Sequence, residues 1–389
     1  MREQYIGVRK TIIILLGLLV FVFAGIDFYQ SRNLQEPLVA SDGVTSVKKL
    51  GSYFTDIVGT INDCNIYFFE GKEPGATLLL IGGTHPEEPA GRLAAWLFAE
   101  HATMQKGRLI VIPTANRSGS TATRFGGAYP PEFTIPTSWG GQRFRMGDRW
   151  SNALDQWPDP EVYIHYPSGQ YLAYMDVRNL NRCWPGRVNG TLTEKTCYAM
   201  IEMIKKENVD LVIDLHEAEL QYPVISTIVA HEKGQDLATL VSMMLTDMEG
   251  FKMGMEFSPK NLHGLSHREI GDHSQAASLL FEAPEPFLDA TRGRTTVEQL
   301  LTGKDDFVRK AGEHGLLFEK IDENGWPIAV RVGRHTSAVL QTMTNWTELH
   351  PDKPLECIDV PRYADVIKNG VGFYLKNPAT VNSKQLLYE

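Results

Sequence analysis

The sequence predicts an α/β fold with a mixed, mostly parallel central sheet flanked by helices. Two observations carry this expectation. Short continuous apolar runs recur at 76–81 (ATLLLI), 108–113 (RLIVIP), 209–215 (VDLVIDL) and 276–281 (AASLLF), as strands buried on both faces require. Stretches with helical apolar spacing lie between them, and a strand–turn–helix–strand order implies parallel neighbours.

Taken in chain order, the first thirty residues stand apart. Arg2, Arg9 and Lys10 precede an apolar or small run from Thr11 to Ile26, which Asp27 ends. A positive flank, a short apolar stretch and a Val22-Phe23-Ala24 ending fit a secretory signal over 1–30. The run has 16 residues, short for a membrane span of about 20, so an uncleaved membrane anchor is the close alternative. Under either reading the basic end stays cytoplasmic and the rest is exported, to the periplasm or another extracytoplasmic space. Residues 31–52 are polar and unpatterned, as a linker would be. From 53 to 300 the chain is regular enough for a catalytic domain. It has a strand at 65–70 (NIYFFE), the four runs above, and helices at 89–104, 193–208 and 234–248, with Thr191 or Thr193 as caps for the second. Within it, 114–175 is dense in Gly, Pro, Trp, Tyr and Arg. Its aromatics argue for an ordered insertion beside a site rather than for disorder. After a short helix past 300, 301–389 presents short strands between Gly, Pro and Asn turns, which predicts a small β-rich C-terminal domain.

Composition narrows the function. The 389 residues, 43% apolar and 22% charged, supply one large core and a smaller one. A net charge of −9 excludes a polyanion such as nucleic acid as the natural partner. None of the four cysteines (Cys64, Cys183, Cys197, Cys357) forms a C-x-x-C pair, so a thiolate zinc site is not indicated. Export would permit disulfides, and the sequence leaves pairing and free thiols equally open.

Polar clusters follow the apolar strands directly, where open parallel sheets bind ligands. In Gly82-Gly83-Thr84-His85-Pro86-Glu87-Glu88, His85 and Glu88 are spaced so that both can converge from a turn entering a helix. Imidazole and carboxylate are standard zinc donors. Glu87 is the competing carboxylate, although an i, i+2 pair diverges. Alone, the spacing also fits a glycine-rich turn with a helix-start carboxylate. Asp214-Leu215-His216-Glu217 ends the next run. His216 would be the third ligand, with Asp214 or a carbonyl orienting its ring. Glu282, in Leu280-Phe281-Glu282-Ala283-Pro284, is placed to take a proton from an activated water; Glu285 is its rival. In Asn179-Leu180-Asn181-Arg182, a guanidinium beside an amide can grip a carboxylate.

Together these clusters resemble the zinc carboxypeptidase superfamily, and within it the succinylglutamate desuccinylase/aspartoacylase branch. That family's pattern is a Gly-rich turn with H-x-x-E, then D-L-N-R-x-(F/Y)-P-G, D-L-H and a strand-end glutamate. The chain offers GGTHPEE, NLNRCWPG, DLHEAE and FEAPEP in that order, over about residues 53–290. The resemblance implies a carboxypeptidase-like fold and a single zinc ion (Zn2+) on His85, Glu88 and His216. It implies Glu282 as general base and then acid, and Asn181 and Arg182 as the clamp for a substrate carboxylate. It also implies an arginine that polarises the scissile carbonyl; Arg178 is the candidate taken, with Arg145 and Arg149 as alternatives. Asn179 stands where the family often has Asp, Pro86 where the deacylases usually have Gly, Glu87 where they have Asn or Asp, and Trp184 where a smaller aromatic is usual. The insertion at 114–175 is extra. These departures bear on the substrate rather than the metal.

The run His263-Gly-Leu-Ser-His267-Arg268-Glu-Ile-Gly-Asp272-His273 invites a second metal site, but a substrate-facing loop fits better, with Arg268 as a second anion contact. The expected activity is amide-bond hydrolysis in a small carboxylate-bearing substrate such as an N-acyl amino acid. The alternatives are an exported metallocarboxypeptidase acting on peptide C-termini, and a non-catalytic metal-binding or scaffold protein.

Overall fold

In the computed structural model, which describes residues 2–122, 129–287 and 293–389, the strands in chain order are β1 (Pro37–Val39), β2 (Ser46–Lys49), β3 (Asn65–Glu70), β4 (Glu73–Ile81), β5 (Thr103–Ile112), β6 (Glu132–Thr137), β7 (Gly140–Arg145), β8 (Tyr163–Ile164), β9 (Tyr171–Leu172), β10 (Leu211–Ala218), β11 (Thr227–Ala230), β12 (Gly254–Phe257), β13 (Ala277–Pro284), β14 (Glu356–Ile358) and β15 (Leu386–Tyr388). The helices are α1 (Arg2–Arg32), α2 (Pro89–His101), α3 (Arg117–Ser120), α4 (Leu192–Lys206), α5 (Gln235–Met244), α6 (Ser266–His273), α7 (Val297–Thr302), α8 (Asp306–Glu313), α9 (Ile328–Leu349), α10 (Tyr363–Asn369) and α11 (Val371–Tyr374).

The four apolar runs become β4, β5, β10 and β13. They lie side by side in the order β13-β10-β4-β5, all parallel, at the centre of a nine-stranded sheet. Antiparallel strands β11, β3 and β14 extend it on both sides, so the sheet is mixed with a parallel centre. Side chains alternate between two cores. Leu78, Leu80, Leu211, Ile213 and Leu215 point to the face covered by α2, α5 and α9. Leu79, Ile81, Val212 and Ile270 belong to the opposite core, together with residues of α4. This is the period of two expected of an extended chain. Helix α4 begins at Thr191, whose side chain accepts from Glu194 N–H in a capping box, one of the two caps foreseen.

Residues 1–35 and 36–389 are separate compact units. The first contains α1; an 18-residue stretch within Ile6–Arg32 has mean hydropathy 2.6 and none of it is buried, so by length and composition the helix can cross a membrane. The second unit begins earlier than the expected 31–52 linker allows. Glu36 is fully buried and paired with Arg92 at 2.6 Å and Arg145 at 3.0 Å. Losing one partner of such a pair costs about 3–5 kcal/mol, so 36–52 belongs to the body. The insertion at 114–175 contains the β6–β7 and β8–β9 hairpins; its residues 123–128 lie outside the described residues.

The expected β-rich domain over 301–389 is not what forms. The segment is dominated by the 22-residue helix α9 with α10 and α11, and it packs within the same unit as the sheet. Its two short strands join other parts of the chain, β14 along β5 and β15 along β1. Helix α9 is buried almost all round, with Arg331, Arg334, His335, Gln341 and Asn345 inside alongside Val332, Val339 and Met343. Buried polar residues break the apolar stripe by which a surface helix is recognised.

Candidate metal centre

The C-terminal ends of β4 and β10 carry the site. After Ile81 the chain turns at Gly83, whose φ of +64° suits glycine, and reaches Glu88, with Pro89 at the first position of α2. Gly91 lets α2 approach β10 closely, since a Cβ there would lie 2.4 Å from the Leu215 carbonyl oxygen. That approach brings Glu88 to His216. In the ladder, His216 stands opposite Glu282 on β13. Both strands run further than predicted, to Ala218 and Pro284.

Glu88 bridges the two imidazoles. Its Oε1 lies 2.7 Å from His85 Nδ1 and its Oε2 2.9 Å from His216 Nδ1. The far nitrogens are held as well: His85 Nε2 is 2.9 Å from Asn179 Oδ1, and His216 Nε2 is 3.0 Å from Asp214 Oδ2. Asp214 in turn accepts from Thr84 Oγ1 (2.8 Å) and Ser266 Oγ (2.6 Å). Rings fixed from behind with both Nδ1 atoms turned to one point are what a metal-binding histidine pair requires. The donor atoms of His85, Glu88 and His216 lie within 4.8 Å of one another and all three residues are buried. Two imidazoles and a carboxylate fit zinc.

The buried carboxylates and imidazoles shift one another. Burial would raise the Glu88 carboxyl, but His85 and His216 hold it well below the usual carboxylate range. Burial would lower His216, but Asp214 and Glu88 hold it well above the ordinary imidazole value. Glu282 goes the other way. Burial pushes it well above the carboxylate range, with Glu88, Glu219 and Asp214 adding to the rise against an opposing His216. Its Oε2 is buried without a hydrogen-bond partner. A carboxyl tuned upward beside a metal-ligand set is suited to taking and returning a proton.

The remaining predicted residues divide. Asn181 Oδ1 accepts from Ser266 N–H at 2.8 Å. Arg182 donates to the Asn181 carbonyl at 2.7 Å and has no carboxylate partner among the described residues. Burial lowers its pKa, while Asp176 and Glu88 act against that, so its charge is felt at Glu88. Arg178 is engaged elsewhere: Nε and Nη2 donate to Asp159 (2.8 and 2.9 Å) and Nη1 to the Ser151 carbonyl (2.8 Å). Arg145 holds Glu36. Arg149 is the arginine at the centre, with Nε 2.6 Å from Glu87 Oε1 and Nη2 3.9 Å from Glu88 Oε1. Arg268 is likewise no free anion contact; it is paired with Asp272 (2.8 Å) and Glu232 (2.6 Å).

The three histidines near it form no second cluster. His263 and His273 both bind Glu269, and His267 binds Ser258. Among the described residues, the trio of His85, Glu88 and His216 alone meets the spacing for a metal. The rival carboxylates are placed too: Glu87 pairs with Arg149, and Glu285 lies beside Arg331. Sequence reasoning gave Asn179, Thr84 and Ser266 no role. Asn179 had one signal, its place two residues before Asn181-Arg182.

No protein-family model matches this chain, and no curated protein matches it. Solved structures are similar to it. A succinylglutamate desuccinylase from a Silicibacter species is 18% identical, over 56% of this chain and 53% of that one, with a TM-score of 0.33. A metallo-carboxypeptidase from Burkholderia cenocepacia is 14% identical, over 80% and 65%, with a TM-score of 0.43. A tripeptide-bound cell shape determinant protein from Helicobacter pylori is 13% identical, over 78% and 58%, with a TM-score of 0.43. The chain spans about half the length of the desuccinylase structure it matches.

Proposed function

We propose that this chain is a zinc-dependent hydrolase that cleaves an amide bond in a carboxylate-bearing substrate. The observation that carries the reading is the prearranged donor set. Two imidazoles face one carboxylate, each ring is held from behind, and Glu282 stands opposite His216 with a carboxylate oxygen unpartnered. A zinc ion held by His85, Glu88 and His216 would supply Lewis acidity to a substrate carbonyl and acidify a water. Glu282 takes the proton from the attacking water and later delivers it to the leaving amine nitrogen. Arg149 donates to the oxygen that gains charge, a role better suited to its position than to that of Arg178. Arg182 and the Asn181 amide nitrogen hold the substrate carboxylate.

The first substrate class is an N-acyl amino acid. The second is the C-terminal residue of a peptide outside the cytoplasm, favoured by one observation: the apolar, unburied helix over Ile6–Arg32, which suits a membrane anchor. Metal analysis of the purified protein, followed by assay of N-acyl amino acids against short peptides with zinc present, tests the reading. Stoichiometric zinc and turnover of one class are expected; a protein that binds no divalent metal is not this hydrolase. The clamp is tested by Arg182→Met. Losing a charged hydrogen-bond pair of about 1.5–3 kcal/mol predicts a roughly 10- to 150-fold fall in kcat/KM, mostly through KM. An equal effect on a substrate lacking the carboxylate would remove Arg182 from the clamp.

A further inference from the structure

Helix α9 belongs to the segment whose fold the sequence concealed, yet it reaches the metal centre from the opposite face of the sheet. Arg331 is fully buried, and its Nη1 lies 2.7 Å from Glu217 Oε1, also fully buried. The guanidinium also donates through Nε to the Trp326 carbonyl at 2.9 Å and through Nη2 to the Leu300 carbonyl. It sits over the Phe287 ring, with Cζ 5.0 Å from the centroid. Each of the three guanidinium nitrogens has a hydrogen-bond partner, so its orientation is set.

Glu217 is the residue after His216, pointing to the other face. It touches Glu88 directly and also holds the helix that Glu88 opens. Its backbone N–H donates to Glu88 Oε2 at 3.0 Å. Its Oε2 accepts from Ala90 N–H at 2.6 Å, in the first turn of the helix that Glu88 opens. Arg331 also lies 3.8 Å from Glu285, three residues beyond Glu282. The Glu285 carboxylate is fully buried and neither of its oxygens has a hydrogen-bond partner. One guanidinium therefore contacts the acids that follow the third metal ligand and the general base.

We propose that Arg331 is a positioning residue of the metal centre. It fixes Glu88 and His216 relative to each other through Glu217, and holds the strand end that carries Glu282 through Glu285. The inference rests on the reading that these residues bind zinc and catalyse hydrolysis. Without Arg331, the Glu217 carboxylate has no buried counter-charge and its hold on Ala90 N–H loosens. The donor set then loses its preset spacing while its members remain.

The test compares the parent protein with Arg331→Lys, which keeps a charge but not the fork, and with Met343→Ala, a buried apolar change on the same helix. Zinc affinity is measured by chelator competition, the absorption spectrum of the cobalt-substituted protein is recorded, and kcat and KM are determined. Residues behind metal ligands typically contribute about 10- to 100-fold in metal affinity or activity. Arg331→Lys is expected to weaken zinc binding in that range, shift the cobalt bands, and lower kcat with KM changed less than about two-fold. Met343→Ala is expected to lower Tm and leave zinc affinity and the cobalt spectrum as in the parent.

If Arg331→Lys does not fold, Glu217→Gln, which preserves shape, takes its place with the same expected outcome. Parent-like zinc affinity and an unchanged cobalt spectrum in the folded variant overturn the proposal, as does an equal loss in Met343→Ala. A parent that binds no zinc refutes the hydrolase reading instead, so the two failures are distinguishable.

Discussion

Glu282→Gln is expected to lower kcat by about 10²- to 10⁴-fold, the range of a lost general acid–base group, while zinc remains bound at the parent stoichiometry. The geometry explains why the effects separate. Glu282 is opposite His216 in the β10–β13 ladder but outside the donor trio, so the amide leaves all three donors intact. Glutamine also preserves volume, so packing of the strand end is kept. The elevated pKa arises from burial and from Glu88, Glu219 and Asp214. Removing the titrating group should therefore also remove the acidic limb that this carboxyl imposes on the pH profile of kcat/KM. The measurement is a kinetic comparison at several pH values with metal content checked on the same samples. Parent-like turnover would exclude Glu282 from proton transfer. Loss of zinc along with activity would instead make it a ligand.

The parts of this molecule legible in the sequence are those where one physical constraint dominates. Strands β4, β5, β10 and β13 are buried on both faces and so are uninterrupted apolar runs. The polar residues that end them had to gather at one edge once the strands were parallel, and His85, Glu88, His216 and Glu282 do. What escaped detection depends on partners far away in the chain. An arginine looks the same in sequence whether it faces a substrate or a buried acid. Arg178 and Arg268 were singled out by neighbouring motif residues, but Asp159 and Glu232 engage them, while Arg149, in a segment without periodicity, reaches Glu87 and Glu88. Glu36 looked like linker because its buried partners lie more than fifty residues away. Helix α9 was hidden because its interior is shared between apolar side chains and Arg331, Arg334 and His335. In each case a charged group paired with a partner distant in the chain, which hydropathy patterns do not show, is what placed the residue or segment.

His216→Ala is expected to have the largest effect on metal binding, and a graded series makes the argument specific. The change deletes a donor, and it leaves Glu88 and Asp214, both buried, without the imidazole between them. Breaking a buried pair in this way costs about 3–5 kcal/mol, so the metal-free variant should unfold at a lower temperature than the metal-free parent. A zinc ion held by the folded parent would stabilise it by mass action, by about 4 kcal/mol at a thousand-fold excess over Kd; in His216→Ala the rise in Tm on adding zinc should vanish. Asp214→Asn is the milder member. The ring keeps its position, but its Nε2 loses a charged acceptor that Thr84 and Ser266 help to orient. Zinc affinity should then fall by about 10- to 100-fold rather than disappear. Thermal melts with and without zinc on the three proteins read both effects. The order parent, Asp214→Asn, His216→Ala in zinc-dependent stabilisation is the one that a ligand with an orienting carboxylate behind it requires. An unchanged zinc response in His216→Ala would mean that the imidazole lies outside the coordination, and the other two donors would then be too few to hold zinc with the affinity a hydrolase needs.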